Sequence, residues 1–256
     1  MLLAIDMGNT NITLGVFNNK ELQFESRIAT DKTKMRDQYA VEISNIFELY
    51  NIDANEIQDA IISSVVPSLD KAIMQAVESV CEVKPLMVGP GIKTGMNIRI
   101  DNPAQLGADL LVGAVAASKK YGTPCIIWDL GTATTVSVVS EDGSYLGGSI
   151  MAGIGTSLNA LIEKTSLLPN IRLEKSPKVI GTNTTHCMQS GIVYSTAAMV
   201  DGMNEKIQDE IGQKAFIVMT GGLGNIIVPS CQSDIIYDEN LLLDGLQIIY
   251  ERNIKG

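Results

Sequence analysis

Two short segments of this chain carry the residue types that handle a phosphate tail. Asp6-Met7-Gly8-Asn9-Thr10 and Asp129-Leu130-Gly131-Thr132-Ala133-Thr134 each set a carboxylate two residues before a glycine, then continue with small amides and hydroxyls. Glycine lets the chain turn tightly enough for backbone N–H groups to converge on an anion. The side chains of Asn9, Thr10, Thr132 and Thr134 are able to hydrogen-bond phosphate oxygens without crowding them. A carboxylate repels bare phosphate, so the two aspartates are expected to hold a cation, directly or through water. One Asp-x-Gly alone is a weak signal and more often a capping Asp in a hairpin; two in repeated surroundings point to a phosphate clamp. A third glycine turn, Thr220-Gly221-Gly222, follows an apolar run and offers flat backbone on which a base or ribose would lie. There is no GxxxxGK[ST] loop and no GxGxxG after the first apolar run, which argues against Walker-type and Rossmann nucleotide sites.

The base for such chemistry is a carboxylate or a histidine. His186 is the only histidine, and no GxSxG elbow exists, so hydrolytic triads have little support. Phosphoryl transfer needs positioning, charge neutralisation and a group to accept the hydroxyl proton. Asp109, in Gly107-Ala108-Asp109 at the start of a predicted helix, is the best candidate. The alternative is that it merely complements the helix dipole.

These residues need elements to position them. Leu2–Ile5, Ile12–Phe17 and Glu21–Ile28 read as strands around the first turn, and Cys125–Trp128, Thr135–Val139 and the run from Tyr145 as strands around the second. Asp6 and Asp129 stand 123 positions apart, and about 25 residues align without a gap, which suggests a duplicated domain. Predicted helices cover Asp37–Tyr50, Asp70–Val80, Ala104–Tyr121, Thr156–Lys164, Ser190–Ile211 and Leu241–Asn253. A strand over Ala60–Val66 is expected to stop at Pro67, with further strands at Pro85–Val88 and Phe216–Met219. The pattern breaks near residues 117–124, placing lobes at 1–117 and 118–256.

The net charge of −10 gives nucleic acid and anionic membranes nothing to bind, and no apolar stretch reaches the ~18 residues of a membrane span. The N-terminus lacks the pattern of a signal peptide. Cys81, Cys125, Cys187 and Cys231 form no CxxC pair and read as buried thiols. A cytoplasmic protein is expected.

Taken in order, Asp6-x-Gly8-Asn9-Thr10, Gly107-Ala108-Asp109, Asp129-x-Gly131-Thr132-Ala133-Thr134-Thr135, Gly147-Gly148-x-Ile150 and Thr220-Gly221-Gly222 resemble the motif set of the type III pantothenate kinase family. Ser63-Ser64-Val65-Val66-Pro67 and Ile180-Gly181-Thr182-Asn183-Thr184 fit it too, so the resemblance spans essentially the whole chain. It implies an α/β fold of duplicated RNase H-like lobes, as in actin-like ATPases and sugar kinases, with an interlobe nucleotide cleft. It also implies a homodimer and ATP-dependent phosphorylation of pantothenate to 4'-phosphopantothenate, which opens coenzyme A synthesis. By motif, Asp6, Met7, Gly8, Asn9, Thr10, Asn11, Ile12 and Thr13 would hold ATP together with Thr132, Gly221 and Gly222. Asp6 would hold magnesium through water, and Asp129 a monovalent cation, potassium or ammonium. Asp109 would be the base, and Ile100, Gly107, Ala108, Asp109, Leu110 and Thr184 would meet pantothenate. Two of these positions depart from the family, which usually has Tyr and Arg where Ile100 and Leu110 stand. Those aliphatics leave two alternatives open: a kinase for another small alcohol, or a weakly catalytic nucleotide-binding paralogue with a regulatory role.

Overall fold

The computed structural model describes residues 1–175 and 177–254. The first compact unit comprises Met1–Gly95, Asn102–Ala116 and Leu241–Gly256; the second comprises Met96–Asp101 and Ala117–Asn240.

In the first unit, β1 (Leu2–Met7), β2 (Asn11–Asn18), β3 (Glu21–Ala29), β4 (Asp59–Ser64) and β5 (Leu86–Met87) form one sheet in the order β3-β2-β1-β4-β5. β1 runs antiparallel to β2 and parallel to β4, so it is central and almost wholly buried, as its continuous apolar run requires. Alternation divides its residues between faces. Leu3, Ile5 and Met7 join the core beneath α1 (Arg36–Leu49) and α2 (Pro67–Cys81). Leu2, Ala4 and Asp6 take the opposite face. α1 buries Tyr39, Ile43, Ile46 and Phe47 of its apolar spacing, whereas Val41 and Tyr50, which that spacing also includes, are exposed. α7 (Leu241–Ile254) packs on β1 and β4, and Val112 of α3 (Ala108–Tyr121) lies against Gly245 of α7.

In the second unit, β6 (Cys125–Leu130), β7 (Ala133–Val139), β8 (Tyr145–Ala152), β9 (Phe216–Thr220) and β10 (Ile235–Tyr237) repeat that order and those directions, β8-β7-β6-β9-β10. A bulge falls at Val16/Phe17 in one sheet and at Val138/Val139 in the other. The duplication expected from sequence is present, although the copies are not identical. Asp6 pairs with Thr13 across the first turn and Asp129 with Thr135 across the second, so the second turn is one residue tighter. α4 (Ile154–Glu163) and α5 (Thr184–Ile211) cover this sheet through Ile154, Val193, Ala197 and Val200. A buried polar link ties α5 to β6: Trp128 Nε1 donates to Asn204 Oδ1 at 2.9 Å, and Asn204 Nδ2 donates to Ser233 Oγ at 3.2 Å.

Several boundaries differ from the sequence reading. Pro67 does not merely stop a strand; it is the first residue of α2, where its missing N–H costs nothing. The predicted helix from Ala104 is a 3₁₀ turn over Pro103–Gln105, an extended Leu106 and then α3. α5 begins six residues early because Asn183 caps it, its Oδ1 accepting from the His186 amide at 2.9 Å. The one-turn helix α6 (Gly224–Ile227) and the three-residue β10 have no expectation behind them. Of the four thiols only Cys81 and Cys125 are buried; Cys231 is half-buried and Cys187 is exposed on the first turn of α5.

Candidate active site

In the first unit the chemistry gathers at the C-terminal ends of β1 and β4. The Gly8 amide donates to the Asn11 carbonyl at 2.9 Å and closes the turn. Thr30, just past β3, clips it from outside: its amide donates to the Thr10 carbonyl at 2.9 Å and its hydroxyl to the Gly8 carbonyl at 2.6 Å. The Val65 amide donates to the Met7 carbonyl at 3.0 Å from the other side. Asn9, Thr10 and Asn11 are left exposed at the tip, while the Met7 and Ile12 side chains are in the core. Of the predicted nucleotide residues, these last two therefore offer backbone only.

Asp6 lies in register with Ser63 on the parallel neighbour β4, which puts both side chains on one sheet face. Ser63 is fully buried, and its hydroxyl has no hydrogen-bond partner within the protein. A buried hydroxyl without a partner is costly, and an orphan beside a carboxylate marks a place for water or a hydrated cation. Ser64 faces the other way and donates to Asp70 of α2 at 2.5 Å.

Asp109 is the second residue of α3 and half-buried. Its Oδ1 accepts from the Leu110 amide at 2.8 Å. Burial raises its pKa above the ordinary carboxylate value, and the amide hydrogen bonds oppose that rise. Gly107 makes the carboxylate's position possible, since a Cβ there would lie 2.5 Å from Asp109 Oδ1. The bland helix-dipole role is compatible with this place in the helix, but a group whose charged form is destabilised by burial is also what proton transfer uses.

In the second unit, Asp129 of β6 stands beside Thr220 of β9, so the Asp129–Thr134 and Thr220–Gly222 turns are neighbours at the ends of parallel strands. Gly131, Thr132 and Gly222 are exposed, and Gly221 is half-buried with its carbonyl accepting from the Tyr237 hydroxyl at 3.2 Å. The Thr132 carbonyl accepts from the Gly153 amide at 3.2 Å and the Thr156 hydroxyl at 2.9 Å, so the start of α4 holds the turn from below. Thr134 is buried and does not sit with the exposed hydroxyls; with Thr184 it lines a cavity of about 600 Å³ under α4 and α5. Ile100 is half-buried on the segment that pairs beside Tyr145, against Gly147.

The side chains in register with the two aspartates, Ser63 beside Asp6 and Thr220 beside Asp129, offer oxygen ligands like the carboxylates themselves. That chemistry fits hard cations such as magnesium or potassium and not zinc. Among the described residues no group of three or more His, Cys, Asp or Glu is placed to hold a metal. Thr30, Ser63, Gly153 and Thr156 were not singled out by sequence reasoning. Ser63 lies in a segment of the family motif set and Thr156 opens a predicted helix, whereas nothing local marks Thr30.

The family described as type III pantothenate kinase matches residues 2–206. A type III pantothenate kinase of Moorella thermoacetica is 44% identical over 253 residues, covering 99% of this chain and all of the relative. One from Koribacter versatilis is also 44% identical, over 99% of this chain and 96% of the relative. Among solved structures, a Sinorhizobium meliloti protein described as a 2-dehydro-3-deoxygalactonokinase superposes with a TM-score of 0.59 at 11% identity, covering 98% of this chain and 96% of that one. That likeness speaks to the fold alone.

Proposed function

The chain belongs to the type III pantothenate kinase family, and from that premise we propose how its residues divide the reaction. It catalyses ATP-dependent phosphorylation of pantothenate in coenzyme A biosynthesis. Asp109 is the general base: its carboxylate takes the proton from the primary alcohol of pantothenate as that oxygen attacks the γ-phosphorus of ATP, and ADP leaves. The observation that carries this role is a half-buried carboxylate at the start of α3, given room by Gly107 and raised in proton affinity by burial. A base so tuned holds its proton better during transfer than an exposed aspartate would.

The Asp6–Thr13 turn, that is Asp6, Met7, Gly8, Asn9, Thr10, Asn11, Ile12 and Thr13, binds the polyphosphate, with Met7 and Ile12 contributing through backbone. Thr132, Gly221 and Gly222 complete the contacts to ATP. Asp6 and Ser63 would hold magnesium through water, and when bound that ion neutralises phosphate charge. Asp129 holds a monovalent cation, potassium or ammonium. Gly107, Ala108, Leu110, Ile100 and Thr184 bind pantothenate. Ile100 and Leu110 place aliphatic surface where a cationic donor would strengthen the hold on its carboxylate, and the loss of one charged hydrogen bond weakens binding roughly 10- to 150-fold.

The protein works in the cytoplasm as a homodimer. Leu167, Val179 and Ile180, exposed by 91%, 65% and 81%, supply apolar surface for self-association. A coupled ADP-release assay with magnesium, ATP and pantothenate tests the proposal. Turnover that falls at least tenfold when potassium is replaced by tetramethylammonium is the expected result. A preferred acceptor other than pantothenate, or turnover indifferent to potassium, would count against it.

A further inference from the structure

The segment that follows β3 is constructed in a way that the reaction as described leaves unused. Thr30 is fixed to the Gly8–Thr10 turn by two hydrogen bonds. The next residue, Asp31, folds its carboxylate back onto its own chain, accepting from the Thr33 amide at 2.9 Å and the Thr33 hydroxyl at 2.7 Å. Those bonds also keep Asp31 ionised, its pKa lying below the ordinary carboxylate value. Its backbone is anchored as well: the Tyr39 hydroxyl, which is fully buried, donates to the Asp31 carbonyl at 2.8 Å. Lys34 is paired with Glu42 of α1.

Lys32 stands at the apex of this short turn and differs from its neighbours. Its ammonium has no carboxylate within ion-pair distance among the described residues. Among the described residues its one hydrogen-bond partner is Asn9 Oδ1, at 3.5 Å. That distance is beyond a well-formed hydrogen bond, so Lys32 is not what holds the turn together. Thr30 does that. Two rigid attachments therefore carry a flexible cation to the exposed tip of a turn that binds polyphosphate, in a chain of net charge −10.

We propose that Lys32 contacts the polyphosphate of ATP directly, reaching over Asn9 from outside the Asp6–Thr13 turn. The inference rests on the reading of that turn as the nucleotide site. Lysine acts here as a point charge on a four-carbon stem, able to follow the phosphates without fixed geometry. With no ion pair among the described residues, it gives up none when the nucleotide arrives.

Calorimetric titration of Mg-ATP into wild type, Lys32→Met and Lys32→Arg, with steady-state kinetics on the same samples, tests the assignment. The Met variant is expected to bind Mg-ATP about 10- to 100-fold more weakly, the range of one charge-assisted contact. Its KM for pantothenate at saturating ATP should stay within about twofold of wild type, and the Arg variant should recover most of the affinity. Mg-ATP affinity unchanged in the Met variant overturns the assignment alone, as does an equal loss in Met and Arg variants. Wild type that binds no ATP at all overturns the turn's reading and the inference with it.

Discussion

Asp109 holds its proton more tightly than an exposed aspartate, because burial destabilises the carboxylate more than the Leu110 amide stabilises it. Linkage gives the sign of the consequence. A carboxyl whose folded pKa lies above its unfolded value of about 3.9 contributes stability when protonated, and that contribution is lost as pH rises through the folded pKa. At pH 7 the wild type therefore carries a penalty that Asp109→Asn removes. The variant should melt at a higher temperature than wild type at pH 7, and the gap should close below about pH 4. Equal melting temperatures at both pH values would contradict the burial argument. Gly107 makes a separate prediction. The atom that a new Cβ would meet is the mobile end of a side chain, so Gly107→Ala should fold normally while pushing the Asp109 carboxylate aside. A displacement of that kind costs on the order of 100-fold in kcat. ATP affinity by calorimetry should remain near wild type.

At the scale of elements, the turns are only as good as what grips them. A Cβ on Gly153 would sit 2.3 Å from the carbonyl oxygens of both Gly131 and Thr132, and backbone cannot step aside as a side chain can. Gly153→Ala should lower stability by about 1–3 kcal/mol, the usual cost of overpacking, and weaken Mg-ATP binding in the same variant. Urea denaturation and calorimetry measure the two effects; loss of neither would mean that the start of α4 does not support the turn. The strands flanking both turns and the stripe of α1 were legible in the sequence because apolar periodicity is a local signal. The first six residues of α5 were not, since Thr184, Thr185 and His186 favour helix weakly and the cue is the cap at Asn183. β10 was illegible for a different reason. Three residues make a strand only by pairing with β9, and that partner is distant in sequence. Thr30 is the same case at the site, a residue whose role exists only once β3 returns beside the turn.

Across the molecule, one strand order occurs twice, and in each copy the penultimate residue of the first strand is an aspartate on the face opposite the adjoining apolar core. The repeat was visible as a gapless alignment, whereas the one-residue difference between the turns was not, because compensating changes in the following hairpin keep the spacing constant. Net charge decided less than it excluded. An acidic chain that binds a polyanion must do so with local amides, a cation and a few placed side chains. The proposed reaction brings all of this to bear on a single proton transfer, the one assigned above to Asp109. The most direct measurement is the rate of ADP release with saturating Mg-ATP and pantothenate in wild type and Asp109→Asn. Removal of a general base should lower turnover by about 10²- to 10⁴-fold, with Mg-ATP affinity intact. Turnover in the variant equal to that of wild type would contradict the account at its centre.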